Sequence, residues 1–438
     1  MSSRIVSRSI WAVAGAALSV ASCNIYTDAL LEPDPRLDGG AGNGGSSGNA
    51  GSGGTGAAGG TDCAAGACWW STTTPEGCAD HRAPTPADRP APTGGADVPV
   101  FYIAIDRVWF GESAPVNHPS GADPWQFFGL NLDGTCTNAP NCADAPKNEV
   151  ACRAGIGVPP DGFGCRDNMF ARLQPVAAQH PNLGRPFGIT EDAFNCELHR
   201  GSFSILIKVS GYNGTEDDDQ VRLDFFMSPG LDRTLDDWSC PSSDWAARAP
   251  WLANFPWRVD QTMLSGSAPS GELPSSTLND PDAYVRDGYL VGDLPNAALM
   301  RFIADNADSA GFAMLLDGGV FVARPKLGND GLWTVEDGLL AGSVTQQNML
   351  LAFNQMGLCA GGALPGGGTI SQAEANLLSD YLRGNMDMLR ARGKNPSTPC
   401  DSMSVGIAFT GRQAMPGPGV EVSTLVECPN GGTPSRID

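Results

Sequence analysis

Basic residues are scarce in this chain of 438 residues: 27 Lys plus Arg stand against 48 Asp plus Glu, a formal net charge of −21. So acidic a chain repels phosphate backbones, which argues against nucleic acid as a partner. Lysine is almost missing, with Lys147, Lys208, Lys326 and Lys394 the full set. Histidine is equally rare (His81, His118, His180 and His199), and no two are spaced as HExxH. No Walker pattern occurs, and no GxSxG lies outside a low-complexity glycine run, so the common phosphate-loop and serine-nucleophile chemistries have no foothold. Beyond a short N-terminal stretch, no apolar run approaches membrane-spanning length. Sustained helical periodicity is also sparse, because 56 Gly and 34 Pro punctuate the chain with turns.

What is present begins at the N-terminus. Arg4 and Arg8 precede an apolar run from Ile10 to Val20, of signal-peptide length. Val20-Ala21-Ser22-Cys23 follows, and it resembles the bacterial lipobox. The resemblance implies that residues 1–22 are a lipoprotein signal peptide and that the Cys23 thiol carries a diacylglyceryl group, the chain's membrane attachment. Ordinary cleavage near Ser22 is the plainer alternative. There are 13 cysteines, and setting Cys23 aside leaves an even number, which in an exported protein points to disulfides. Close spacing favours Cys136–Cys142 and Cys152–Cys165 as local loops. The spacings Cys63-x4-Cys68 and Cys136-x5-Cys142 suit zinc poorly.

Residues 23–97 read as a tether. Gly39 to Gly60 is nearly all Gly, Ala, Ser and Asn and cannot bury apolar surface, so a disordered linker is expected there. A small Cys-containing segment with Trp69 and Trp70 follows, then a Pro-rich run from His81 to Gly95. Residues 98–428 are expected to fold as one disulfide-stapled β-rich domain, with 429–438 a disordered tail. Val98–Phe110 is a β-branched and aromatic first strand. Phe127–Leu132 is a candidate strand, and Asp167 a candidate cap for a helix from Asn168 to Ala178. Phe203, Ile205, Ile207 and Val209 alternate with polar residues, as do Val221, Leu223, Phe225 and Met227, which predicts a hairpin. Leu206 and Phe226 interrupt its polar face, so part of that face is expected to be covered. Asp-Gly pairs at 287–288, 317–318, 330–331 and 337–338 separate apolar runs, each a hairpin signal. Gln346–Met356 is a candidate helix, and Ser371-Gln372-Ala373-Glu374 is a capping box opening another that Gly393 would stop. Ser402–Thr410 alternates again as a returning strand. The expected fold is mainly β: an antiparallel β-sandwich with a short C-terminal helical segment.

Candidate chemistry is thin. Glu216, Asp217, Asp218 and Asp219 form a cluster of oxygen ligands at the hairpin tip, of a kind that calcium takes. The spacing matches no EF-hand loop, consecutive strand residues face opposite ways, and a solvated charged turn is the simpler reading. Asp161-Gly162 and Asp167-Asn168 are a second, weaker oxygen group. No cofactor other than such a calcium ion is expected. Trp238, Trp245, Trp251 and Trp257 lie close together, and indole faces on loops can stack on sugar rings. Core burial is the alternative for large aromatics. A carboxylate-based glycosidase is the alternative function, but no acid pair stands out among so many.

The lipobox-like Val20–Cys23, the glycine-rich leash from Gly39 to Gly60, the scattered cysteines and the dearth of lysine together resemble uncharacterised secreted lipoproteins of myxobacteria. The likeness covers only about the first 60 residues, and it implies export and anchoring without assigning any catalytic residue. The expectation is a lipid-anchored envelope protein, on the periplasmic face or the cell surface. Its role would be non-catalytic binding or surface display, with envelope polysaccharide or protein as partner.

Overall fold

The computed structural model describes residues 80–114, 122–140, 150–155, 160–172, 191–232, 255–296, 298–302, 312–355, 360 and 371–422. Eight strands run in chain order around a single sheet: β1 (Phe101–Trp109), β2 (Ser204–Ser210), β3 (Asp218–Ser228), β7 (Leu278–Arg286), β8 (Tyr289–Asp293), β10 (Phe312–Leu327), β11 (Trp333–Thr345) and β12 (Ser402–Gln413). Every neighbouring pair is antiparallel, and the last strand returns to the first. Ile103 lies opposite Gln413 and Trp109 opposite Ala408 across that seam. The sheet therefore closes into an eight-stranded up-and-down barrel, and the expected sandwich is corrected. Alternation alone cannot separate the two, since both hide one face of each strand.

Five shorter strands complete the set: β4 (Pro256–Asp260), β5 (Leu264–Ser265), β6 (Ser275–Ser276), β9 (Ala298–Phe302) and β13 (Met415–Val420). The barrel interior is a packed core. Phe225, Phe321 and Phe409 meet ring to ring at 5.2 and 5.6 Å, and Phe101 stacks on Trp333 at 4.4 Å. Because the strands alternate up and down, the long β1–β2 and β11–β12 connections emerge at one end and the tight turns at the other. Helix α1 (Glu191–Arg200) lies in the first of these connections. Helices α2 (Gln346–Gln355) and α3 (Gln372–Gly384) lie in the second. Phe194 and Leu198 of α1, Met349 and Leu350 of α2, and Ala375 and Leu382 of α3 join the interior cluster and close that end. Among the described residues no helix is long and apolar enough to cross a membrane.

The strands are buried on both faces. Tyr102, Ala104, Leu206 and Phe226 point outward from β1–β3 and are covered by Leu231, Trp257, Val259, Leu273 and Ala414. Val291, Val320, Val322, Leu339, Ala341 and Ala408 are covered by Trp125, Phe127, Phe128, Leu130, Leu132 and Met388. The expected cover over Leu206 and Phe226 is thus present, and it comes from the β3–β7 connection together with Ala414 after β12.

Several local expectations change. Asp287 and Gly288 have φ of 52° and 77° and form the two-residue β7–β8 turn, as Asp-Gly predicts. Asp330-Gly331 sits in the β10–β11 turn. The other two pairs are irregularities inside strands. Asp317-Gly318 marks where β10 stops pairing with β9 and begins to pair with β8 and β11. Gly338 lies at a register shift in β11, where a Cβ would fall 2.4 Å from the Phe409 ring. Glycine serves close approach there, not a turn. Phe127–Leu132 is not a strand: Phe127 ends a 3-10 turn (Pro124–Phe127), and the residues after it make only isolated bridges at Leu130 and Asn131. Asn168, not Asp167, caps the helical turn beginning at Met169, accepting from Ala171 N–H. The capping box at Ser371 forms as expected, but α3 ends at Gly384, well before Gly393.

The disulfides also differ from the favoured local loops. Cys136 bonds Cys165, and Cys152 bonds Cys400 across 248 residues. Backbone pairing sets both. The Leu130–Asp167 bridge folds Cys165 back beside Cys136, and the Arg153–Pro399 bridge brings Cys152 to Cys400. Cys142 lies outside the described residues. Peptide mapping of unreduced protein is expected to recover 136–165 and 152–400 cross-links. Replacing Cys152 and Cys400 together by Ser is expected to cost about 4 kcal/mol in denaturant unfolding.

Candidate functional site

Between the barrel wall at β12 and the β1–β2 connection lies a polar cavity of about 20 Å³, the size of one water. Four aspartates line it: Asp133, Asp161, Asp167 and Asp387. Three come from the 131–167 cover and one from the segment just before β12. Asp161 and Asp167 are over nine-tenths buried. The local chain places them through turn chemistry. Asp133 accepts from Thr135 N–H and Oγ, closing an Asx turn. Asp161 accepts from Thr137 N–H. Asp167 Oδ2 accepts from Leu132 N–H at 2.6 Å and Asp133 N–H at 3.1 Å. Asp387 takes both Ser404 N–H and Ser404 Oγ–H, which ties it to β12. The second oxygens of Asp161 and Asp167 accept no hydrogen bond among the described residues, and both side chains line the cavity.

Crowding carboxylates in a dry place favours their neutral forms. Burial pushes Asp161 and Asp167 well above the usual carboxylate range, and the neighbouring acids add to the effect. Burial also lifts Asp387 to about 7 against its Ser404 bonds. Asp133 is raised by burial, offset by its Thr135 bonds and by Lys394. Arg172 lines the same cavity, and burial lowers its pKa.

Asn168 anchors this layer. Its Nδ2 donates to Phe128 O and Gly406 O, and its Oδ1 accepts from Gly406 N–H at 2.8 Å. Nearby, the fully buried Arg166 donates to Phe163 O and, at 3.0 Å, to His81 Nδ1. Burial first, and the Arg166 charge second, push His81 down to about 2, so it accepts as a neutral ring. Burial brings Arg166 to about 9. His81 thereby belongs to the folded unit: its N–H donates to Gly164 O, and Arg82 bridges Asn131. The Pro-rich end of the expected tether is laid along the barrel's cover.

The sequence's candidates are dispersed. Trp257 is wholly buried in the outer cluster and offers no face to a sugar. Trp238, Trp245 and Trp251 lie outside the described residues, as does Cys23. Glu216, Asp217, Asp218 and Asp219 sit beside the turn end of the barrel with their groups directed apart. Asp217 Oδ1 accepts from Asp287 N–H, Asp218 from Asn213 and Gln220 N–H, and Asp219 from Thr93 N–H. Among the described residues, no three His, Cys, Asp or Glu side chains are placed to hold a metal ion. Asp218 and Asp219 instead border an open polar cleft of about 490 Å³, also lined by Thr93, Asp97, Ser210, Gln220 and Arg222. Of the acid cavity, the sequence named only Asp161 and Asp167. Asp133 and Asp387 gave no signal because their convergence depends on tertiary pairing, Leu130 with Asp167 and Met388 with Ser402.

Asn168→Ala is expected to lower stability by about 3 kcal/mol in urea unfolding, because it strands buried groups at Phe128 and Gly406. No protein-family model, no curated protein and no solved structure matches this chain.

Proposed function

We propose that the chain is a lipid-anchored protein of the bacterial cell envelope that displays its barrel on a glycine-rich leash and binds a ligand without transforming it. The observation that carries this reading is the pair of disulfides in the barrel's cover, Cys136–Cys165 and Cys152–Cys400. Such cross-links persist in oxidising compartments outside the cytosol. They fit a chain whose Cys23 takes a lipid on export. The polar cleft beside Asp97, Ser210 and Gln220 is of ligand size, and its mixed donors and acceptors suit a hydroxyl-rich molecule such as a glycan. Trp238, Trp245 and Trp251 remain candidates for stacking on the same ligand.

The hydrolase alternative has less support. Its best acid group surrounds a cavity of about 20 Å³, far too small for a sugar ring between two carboxylates. Both oxygens of Asp387 are also taken by Ser404.

Metabolic labelling with an alkyne fatty acid tests the anchoring. The mature protein from a bacterial host is expected to carry label, and Cys23→Ser is expected to abolish it. An unlabelled wild-type protein would remove the anchor. Titration with envelope polysaccharide, read by Asp97→Ala and Gln220→Ala, tests the ligand. Saturable binding weakened by either substitution supports the cleft, and no binding to any polysaccharide ends the glycan reading.

A further inference from the structure

We infer that the four aspartates around the small cavity form an acid-locked clasp: protonated, they hold the 128–137 and 160–172 cover against the barrel, and on losing protons they release it. The inference is independent of the anchoring and ligand readings above. It rests first on geometry. Asp133, Asp161 and Asp167 belong to the cover, and Asp387 is fixed to β12 through Ser404, so the cluster spans the joint between cover and barrel wall. Asp161 and Asp167 are both nearly fully buried, and each turns an oxygen without a hydrogen bond among the described residues to the small cavity that Asp133 and Asp387 also line. A proton shared there converts repulsion into a hydrogen bond, and an ionised set in the same place repels.

Among the described residues, the surrounding cations are fewer than the acids. Arg172 lines the cavity from the helical turn after Asn168. Lys394 acts on Asp133, and Arg392 is itself influenced by Asp167, both from the segment before β12. Asp80, from the N-terminal strap, adds a fifth acid, which raises Asp161 further. Tyr381 of α3 acts on Arg172. Among the described residues, five acids thus face four cations, Arg82 beside Asp80 being the fourth, and each of the five acids is displaced toward its neutral form.

The sign follows from linkage. Acids whose folded pKa lies above the unfolded value hold extra protons when folded. Their stabilisation is complete below about pH 4, and it is lost as pH rises through the folded values. For Asp387 that upper edge is about 7. The clasp therefore tightens in acid and slackens toward neutral and alkaline pH. Release is bounded, because Cys152–Cys400 keeps the connection tied beside the start of β12 and Cys136–Cys165 keeps the cover's own loop closed. Slackening would bare Phe127, Phe128 and Leu130, together with the barrel wall they now cover.

Hydrogen exchange of the intact protein, corrected for intrinsic rates and free of added metal, tests this between about pH 5 and about pH 8. Protection of 128–137 and 160–172, relative to β2 and β3, is expected to fall by roughly tenfold or more as pH rises. Asp167→Asn keeps an acceptor for Leu132 and Asp133 and cannot ionise, so it is expected to remove most of that fall. If this variant does not fold, Asp161→Asn supplies the same comparison, since its amide oxygen can still accept from Thr137. Protection that is constant or rises with pH overturns the clasp. An equal fall in the Asn variant also overturns it. Full recovery of protection at the higher pH on adding calcium alone would overturn it too, by making the cluster a cation site.

Discussion

The pairing of β1 with β12 is the constraint on which everything else depends. It joins strands about 300 residues apart and turns an open sheet into a ring without free edges. A closed barrel of eight strands has an interior just wide enough for side chains, and here aromatic rings fill it. The outer wall is then the problem, because much of it is apolar as well. The long connections at one end solve it by folding back down the outside. One connection lays Trp125, Phe127 and Leu130 over β10–β12, and the other lays Trp257 and Val259 over β1–β3. The insertions are therefore a second hydrophobic layer that the barrel requires.

This arrangement explains what could be read from the residues and what could not. The β2–β3 hairpin was legible because alternation sets the inner face, and Leu206 and Phe226 betrayed a covered outer face. The β12 strand and the Ser371 capping box were legible for equally local reasons. Barrel closure was not, because the β1–β12 register is a long-range property with no signature in either strand alone. Two of the Asp-Gly pairs misled for a definite reason. A glycine needed where Phe409 crowds Gly338, or where β10 changes partners, looks in sequence like a glycine needed for a turn. Helix α1 escaped notice because its buried face includes Asn195, which serves β1 by bonding both Val108 N–H and Val108 O. Of the acid cavity, Asp161 and Asp167 could be named as an oxygen group, but Asp133 and Asp387 reach it only through tertiary contacts.

Buried charges in the cover and the barrel wall are met in two ways, by specific hydrogen-bond partners or by a shift toward the neutral form. Arg166 is held by Phe163 O and a neutral His81. Asp106 is clamped by Thr410 and Arg412 at the irregularity in β1. The acid cavity takes the other course, with burial driving its carboxyls toward the protonated form. Satisfied bonds such as those of Asn168 to Phe128 and Gly406 fix the register of a layer that apolar packing alone would leave free to slide.

The seam between first and last strands also imposes an order of events on synthesis. When β1 leaves the ribosome its partner β12 does not yet exist, and β1 and β11 are provisional edges until residues 402–413 have been made. A product ending before residue 402 would keep both edges permanently open, ready to pair with any other strand it meets. The same late stitch makes β12 the strand on which closure waits, and the wall that Trp125, Phe127 and Leu130 cover is complete only once it has paired.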